Sequence, residues 1–277
     1  MTRAVLLMLV AMTLIPSGDA AAKLLTGTHQ VTPIWAAWIR FVIGTAVVLP
    51  LTPISAWRFL ADWRVILRAS LITGGICCIL MGLAREPMAN VFGAFFIGPI
   101  LTYVLSALLL GEKISFGRSV LLLIGFGGVL LVVKPGFGMT PGLIWAVVAG
   151  LFYGSYLTAT RWLANDVPAK ALLFSQLFIA MIITTPFAVL NSPTITFEIA
   201  GLSALSGLFS MFGNLLLLFA LRLQPGTRMA PFVYFQLVAA TALGWLVFST
   251  LPDTLTWIGL AILITSGFCS LLLADRR

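Results

Sequence analysis

The chain is cut into long apolar runs that no charge interrupts, as in Ser119–Val133 and Leu255–Leu273. In a hydrocarbon core every backbone N–H and C=O must be paired internally, so only helices and closed barrels span it. Barrel strands alternate apolar and polar residues at period two. These runs do not alternate, so they read as transmembrane helices. A water-soluble globule is excluded on the same grounds: 61% of the 277 residues are hydrophobic and 9% charged, too little polar matter to clothe a globule.

A bilayer core of roughly 30 Å takes about 20 helical residues. Breaking the chain at charges and at Gly/Pro clusters gives spans near 4–24, 33–52, 66–84, 88–110, 117–134, 141–162, 170–190, 199–221, 228–249 and 255–273. The loops between them hold only a few residues, so no soluble domain is inserted. Placing Lys and Arg on alternate sides puts twelve of the 16 on one side, among them Arg64, Arg68 and Arg161. Lys23, Arg85 and Lys134 fall on the other, and Arg40 lies inside a span. The positive-inside rule then orients both termini toward the cytoplasm of a bacterial inner (plasma) membrane. The net charge of +8 is accounted for in this way, because single basic residues in short loops make no nucleic-acid patch.

Several chemistries lack their residues. His29 is the one histidine, and Cys77, Cys78 and Cys269 form no disulfide or metal pattern. No serine–histidine arrangement and no Walker-type Gly-x-x-x-x-Gly-Lys loop is present. The eight acidic residues are scattered rather than gathered at one membrane face. The expectation is a protein that is not an enzyme, with no catalytic residues, no metal and no cofactor. Arg3, the run Ala4–Ile15 and Ala20-Ala21-Ala22 also fit a secretory signal with its cleavage site. An internal repeat argues that this segment is retained as the first span.

Shifting the chain by 138 positions sets Val10-Ala11 on Val148-Ala149, Ser17 on Ser155, Lys23 on Arg161, Gly75 on Gly213 and Pro87 on Pro225. Identity between two apolar sequences means little, but every span and loop stays in register. Five spans is an odd number, so the second half would enter the membrane upside down. Inverted repeats of this kind build central sites that open to either side. The expected domains are residues 1–137 and 138–277.

Pro87-Met88-Ala89 opens one span, Leu110-Gly111-Glu112-Lys113-Ile114-Ser115 closes it, and Gly125–Gly128 follow. The second half carries Pro225, Trp257-Ile258-Gly259, Ile262-Leu263-Ile264 and Gly267. Over nearly its full length the chain thus resembles the paired EamA domains of the drug/metabolite transporter superfamily. Ser249-Thr250 stand where that pattern has Gly-Glu, a helix-end feature whose loss leaves the fold expectation intact. The resemblance implies an all-α polytopic membrane protein: ten transmembrane helices as two inverted five-helix repeats around a central cavity. It implies a secondary active transporter, coupled to protons or a gradient. Its partners would be the bilayer and a small-molecule substrate such as an amino acid, vitamin or nucleoside-like compound.

Charges inside spans are costly and mark candidate sites. Asp19 and Arg40 lie about 8–10 Å below the outer surface, counted at about 1.5 Å per residue, and Lys23 is one turn from Asp19. They read either as an ion pair fixing two helices or as a coupling or gating cluster, with Arg85 and Glu86 in the next outer loop. Asn90, Asn214 and Gln236 are intramembrane amides, either glue between helices or substrate ligands, and Gln176 is another. Phe92, Phe95, Phe96, Pro99 and Tyr103 form one helical stripe; with Tyr153, Tyr156 and Tyr234 it could pack helices or hold a flat substrate. Pro16, Pro99, Pro186 and Pro231 interrupt helices that could pivot. Small residues in the fifth and tenth spans suit either packing within the chain or the seam of a homodimer.

Overall fold

The computed structural model describes residues 2–111, 116–134, 136, 138–223 and 234–272. Glu112–Ser115, Pro225 and Pro231, all named above, lie outside them. The described residues form α1 (Thr2–Gly27), α2 (Pro33–Val48), α3 (Trp63–Leu83), α4 (Met88–Phe95), α5 (Ile97–Leu110), α6 (Phe116–Val133), α7 (Pro141–Leu163), α8 (Ala169–Leu190), α9 (Phe197–Leu223), α10 (Phe235–Phe248) and α11 (Thr254–Leu272). Among them seven stretches are long and apolar enough to cross a membrane, α4 and α5 counting as one; Ser119–Val133, Phe235–Phe248 and Thr254–Cys269 are shorter apolar helices. Large apolar side chains such as Leu108, Leu190, Leu246 and Phe219 face outward. The protein is therefore an all-helical, multi-pass membrane protein whose outer surface suits lipid.

Local chemistry sets the helix ends. Thr32 caps α2 by accepting the Trp35 N–H, with Pro33 pre-shaped for the first turn. The expected second span ends early: at Pro50 the chain tightens into a short 3-10 turn, Leu49–Leu51, and a second one runs over Ile54–Ala61. Asp62 caps α3, accepting the Arg64 N–H at 2.9 Å. Gly111 ends α5 in the left-handed region at φ 66°, and Ser249 ends α10 at φ 53°. Ser249 thus does the work a glycine does at the other site, at some steric cost.

The fourth span is split at Phe96. Pro99 has no N–H for the Phe95 carbonyl four residues earlier, so the ladder opens there. The freed carbonyl lies against α7, where a Cβ on Gly150 would stand 2.5 Å from it. Pro16 and Pro186, by contrast, lie inside α1 and α8 without ending them.

In the packing, α1 lies on α9 and α10, α3 on α7 and α8, α2 on α8 and α9, α4 and α5 on α7, and α6 on α11. Glycines make the closest crossings. A Cβ on Gly128 would lie 2.8 Å from the Gly259 carbonyl, and one on Gly259 2.6 Å from the Gly128 carbonyl. Gly128 and Gly259 therefore face each other within the chain, as do Gly125 and Ser266. Phe41, Phe92, Phe174, Leu80, Leu83 and Met88 are fully buried at the core of the bundle.

Candidate functional site: a cavity sealed at one end

A cavity of about 380 Å³ runs between α1, α3, α7, α8, α9 and α10. Its lining runs from Ala164, exposed in the α7–α8 turn, to Asp19 and Arg40, which are buried. Its wall is mostly apolar, with Ile72, Ile76, Ile79, Leu157 and Leu173 among the lining side chains.

At the buried end, Arg40 Nη1 donates to Asp19 Oδ1 at 2.6 Å and Arg40 Nη2 to Ser210 Oγ at 2.7 Å. The pair joins α1 to α2, and the serine bond adds α9. Ser206 Oγ donates to the Gly18 carbonyl at 2.8 Å, and a Cβ on Gly18 would meet the Ser206 carbonyl at 2.9 Å. Glycine at that position is what lets α1 approach the α9 backbone this closely.

Midway, Phe95 and Tyr153 pack with ring centroids 4.9 Å apart, and Tyr153 and Tyr156 at 5.9 Å. Asn214 donates to the Ser210 carbonyl at 2.7 Å, and its oxygen has no protein partner among the described residues. Gln236 is buried in the cavity wall with no hydrogen bond to any described residue. Amides held this way are available to a ligand or to water.

Toward the Ala164 end stands Arg68, 4% exposed. Its guanidinium donates to Thr160 Oγ1 at 2.8 Å, the Leu172 carbonyl at 3.1 Å, Tyr156 Oη at 2.9 Å and Gln176 Oε1 at 3.2 Å. It also lies over the Tyr156 ring, 4.6 Å from its centroid. Nearby, Arg64 bridges Asp62 at 2.9 Å and Asp166 at 2.8 Å, tying the start of α3 to the α7–α8 turn. The Arg64 hydrogen bond to Asp62 holds that half-buried carboxyl below its ordinary range.

Beyond the buried end the helices are tied together. Lys23 Nζ donates to the Leu83 carbonyl at 2.5 Å and the Glu86 carbonyl at 2.7 Å, and lies 5.4 Å from the centre of the Phe248 ring. Leu83 ends α3, so the ammonium meets carbonyls that have no partner within the helix, at the negative pole of its dipole. Thr140 Oγ1 donates to Glu86 Oε1, placing that carboxylate at the positive start of α7. Lys134 and Asp253 pair at 2.5 Å, linking the end of α6 to the start of α11.

Of the residues singled out in the sequence, Asp19, Arg40, Phe95, Tyr153, Tyr156, Gln176, Asn214 and Gln236 line the cavity. Lys23 and Glu86 belong to the closure above it. Arg85 is exposed and bonds only to the Met81 carbonyl at 3.0 Å. Phe92 is fully buried in the core, Phe96 packs on Tyr234 at 5.0 Å, and Tyr103 meets Ser119 at 3.2 Å. Asn90 lies outside the cavity lining, with a buried Oδ1 that no group among the described residues satisfies. The break at Phe96 is what disperses the aromatic stripe. Arg68 and Ser210 were not expected at the site. Arg68 reads as a loop charge by count, although its place six residues into α3 hints at burial.

The sequence pattern of the EamA-like transporter family matches the chain twice, over residues 2–134 and 140–272. An S-adenosylmethionine uptake transporter of Rickettsia bellii is 27% identical over 236 residues, covering 82% of this chain and 80% of that one. A pseudopaline exporter of Pseudomonas aeruginosa is 28% identical over 196 residues, covering 69% and 68%. A riboflavin transporter of Vibrio cholerae is 26% identical over 249 residues, covering 83% and 80%. A solved crystal structure superimposes with a TM-score of 0.70 across 99% of this chain and 98% of the other; at 21% identity that likeness speaks for the fold alone. With the family pattern spanning nearly all of its length, the chain belongs to the EamA-like transporter family.

Proposed function

We propose that the protein is a secondary transporter that carries a small organic metabolite across the bacterial inner membrane through this cavity, by alternating access. The observation that carries the reading is a cavity lined from exposed Ala164 to the buried Asp19–Arg40 pair, with Lys23 tying α1 to the end of α3 one turn beyond Asp19. A path for a solute that must never be open at both ends at once has this form.

The reading takes the chain as ten spans in two halves, 1–137 and 138–277, of opposite orientation. Packing supports it. Exchange the halves, so that α1 stands for α7, α2 for α8, α3 for α9, the α4–α5 span for α10 and α6 for α11. The α1–α9 contact then becomes α7–α3, α2–α9 becomes α8–α3, and α1–α10 becomes α7 against α4 and α5. The α2–α8 and α6–α11 contacts map onto themselves. By the count of basic residues both termini are cytoplasmic, so the Ala164 end faces the cytoplasm and the closure faces outward. Asp19 is the carboxyl in the cavity lining, and we assign it the coupling role, with Arg40 as the partner that releases it.

The test is uptake. Purified protein in vesicles, given a metabolite pool, should accumulate specific compounds identified by mass spectrometry of the contents. Leu157→Trp, which fills the cavity from its wall, should abolish that accumulation. Uptake at the wild-type rate in that variant would remove the cavity from the path.

A further inference from the structure

Arg68 is a buried charge without a counter-charge. Its four hydrogen-bond acceptors are two hydroxyls, a backbone carbonyl and an amide oxygen, all neutral. No carboxylate among the described residues lies within 4.0 Å of it. Neutral dipoles fix the orientation of a guanidinium, but leave its charge uncompensated in an apolar wall, a costly state that an arriving anion relieves.

The donors left over belong to two side chains in direct contact, Arg68 and Gln176. A guanidinium has five N–H groups, and the four contacts leave one, on Nη1. Gln176 Oε1 accepts from both Arg68 and Tyr156, at 3.2 and 2.9 Å, which turns its amide nitrogen away from them. That nitrogen has no partner among the described residues, and Gln176 is 6% exposed and lines the cavity. One charged donor and one neutral donor match the two oxygens of a carboxylate. A phosphate would bring more oxygens than there are donors, and a second negative charge into an apolar cavity. Beside this point the rings of Tyr156, Tyr153 and Phe95 continue along the wall.

We propose that Arg68 and the Gln176 amide dock a carboxylate of the transported metabolite, whose flat, apolar body lies along Tyr156, Tyr153 and Phe95. The substrate class is then a monocarboxylate, free or within a zwitterion, with an aromatic portion. This rests on the transport reading for the word substrate, but the anchor itself is a binding site and is tested as one.

The experiment measures binding of 3-phenylpropionate, its neutral amide 3-phenylpropionamide, and phenyl phosphate to the full chain in detergent. The acid should bind more tightly than the amide and the phosphate. Arg68→Gln should weaken the acid on the order of 10- to 100-fold, the scale of a charged hydrogen-bond partner, and weaken the neutral amide far less. Should Arg68→Gln not fold, Gln176→Glu serves: it supplies an internal carboxylate, so acid binding should vanish while the melting temperature rises. Equal binding of acid and amide to the wild type, tighter binding of phenyl phosphate, or acid binding that survives Gln176→Glu would each overturn the proposal. Because these readouts need no transport, vesicles without uptake would remove the carrier reading and leave the anchor standing. Uptake without acid preference would do the reverse.

Discussion

Arg40 and Asp19 meet at 2.6 Å with each side chain 5% exposed, and the pair forms the floor of the cavity. The contact spans two helices of one half, and Ser210 extends it to the other half. Shifted by 138 positions, Asp19 falls on Leu157 and Arg40 on Phe178, so the repeat does not supply a second such pair. The coupling role proposed for Asp19 rests on this unrepeated, buried placement in the cavity lining.

Breaking that pair should separate coupling from folding. Asp19→Asn leaves Arg40 buried and without its counter-charge, a change that costs about 3–5 kcal/mol in buried pairs. The melting temperature should fall, and Asp19→Asn with Arg40→Gln should recover part of the loss. If Asp19 couples transport to protons, both variants should lose pH-driven uptake while keeping exchange of substrate across vesicles. pH-driven uptake that persists in Asp19→Asn would exclude the coupling role.

The α6–α11 crossing offers a test with an internal control. A methyl group on Gly128 would stand 2.8 Å from a backbone carbonyl, which has no rotamer with which to yield. Gly128→Ala should therefore destabilise the protein by about 1–3 kcal/mol, the range for overpacked sites. Gly127, one residue earlier, has nothing within 4 Å of such a methyl. Gly127→Ala should be neutral or slightly stabilising, since it removes chain freedom from the unfolded state. Thermal unfolding of the two variants in the same detergent makes the comparison.

What the sequence made legible follows from what leaves a local signal. Helices were legible because lipid imposes apolar length, and Asp19 and Arg40 because a charge in such a run stands out. Arg68 was not: a basic residue near a helix end satisfies the positive-inside count whether it faces water or a cavity. Only the positions of Tyr156, Thr160 and Gln176, on two other helices, separate the two cases. The aromatic stripe failed to stay together for a similar reason. It assumes a continuous helix from Phe92 to Tyr103, and the helix breaks at Phe96 before Pro99. Lys23 has its reach to the Leu83 and Glu86 carbonyls from tertiary packing, which its one-turn spacing to Asp19 does not reveal.

The closure has one element whose pH response is fixed in sign. The Lys134 ammonium, hydrogen-bonded to Asp253, draws that carboxyl down from 3.8 to about 2. A carboxyl with a depressed folded value contributes stability above its unfolded value, and that contribution is lost as pH falls through the folded one. The link between α6 and α11 should thus be fully present above about pH 4 and lost toward pH 2. Asp253 also caps α11, accepting the Thr256 N–H at 3.0 Å, a role asparagine can take over. Asp253→Asn therefore removes the charge and keeps the cap. Its melting temperature should lie slightly below the wild type at pH 6 and converge with it at pH 2.5. The exposed carboxylate keeps the gap small, and high salt should narrow it further. A gap of equal size at both pH values would mean that the charge does not hold these two helices together.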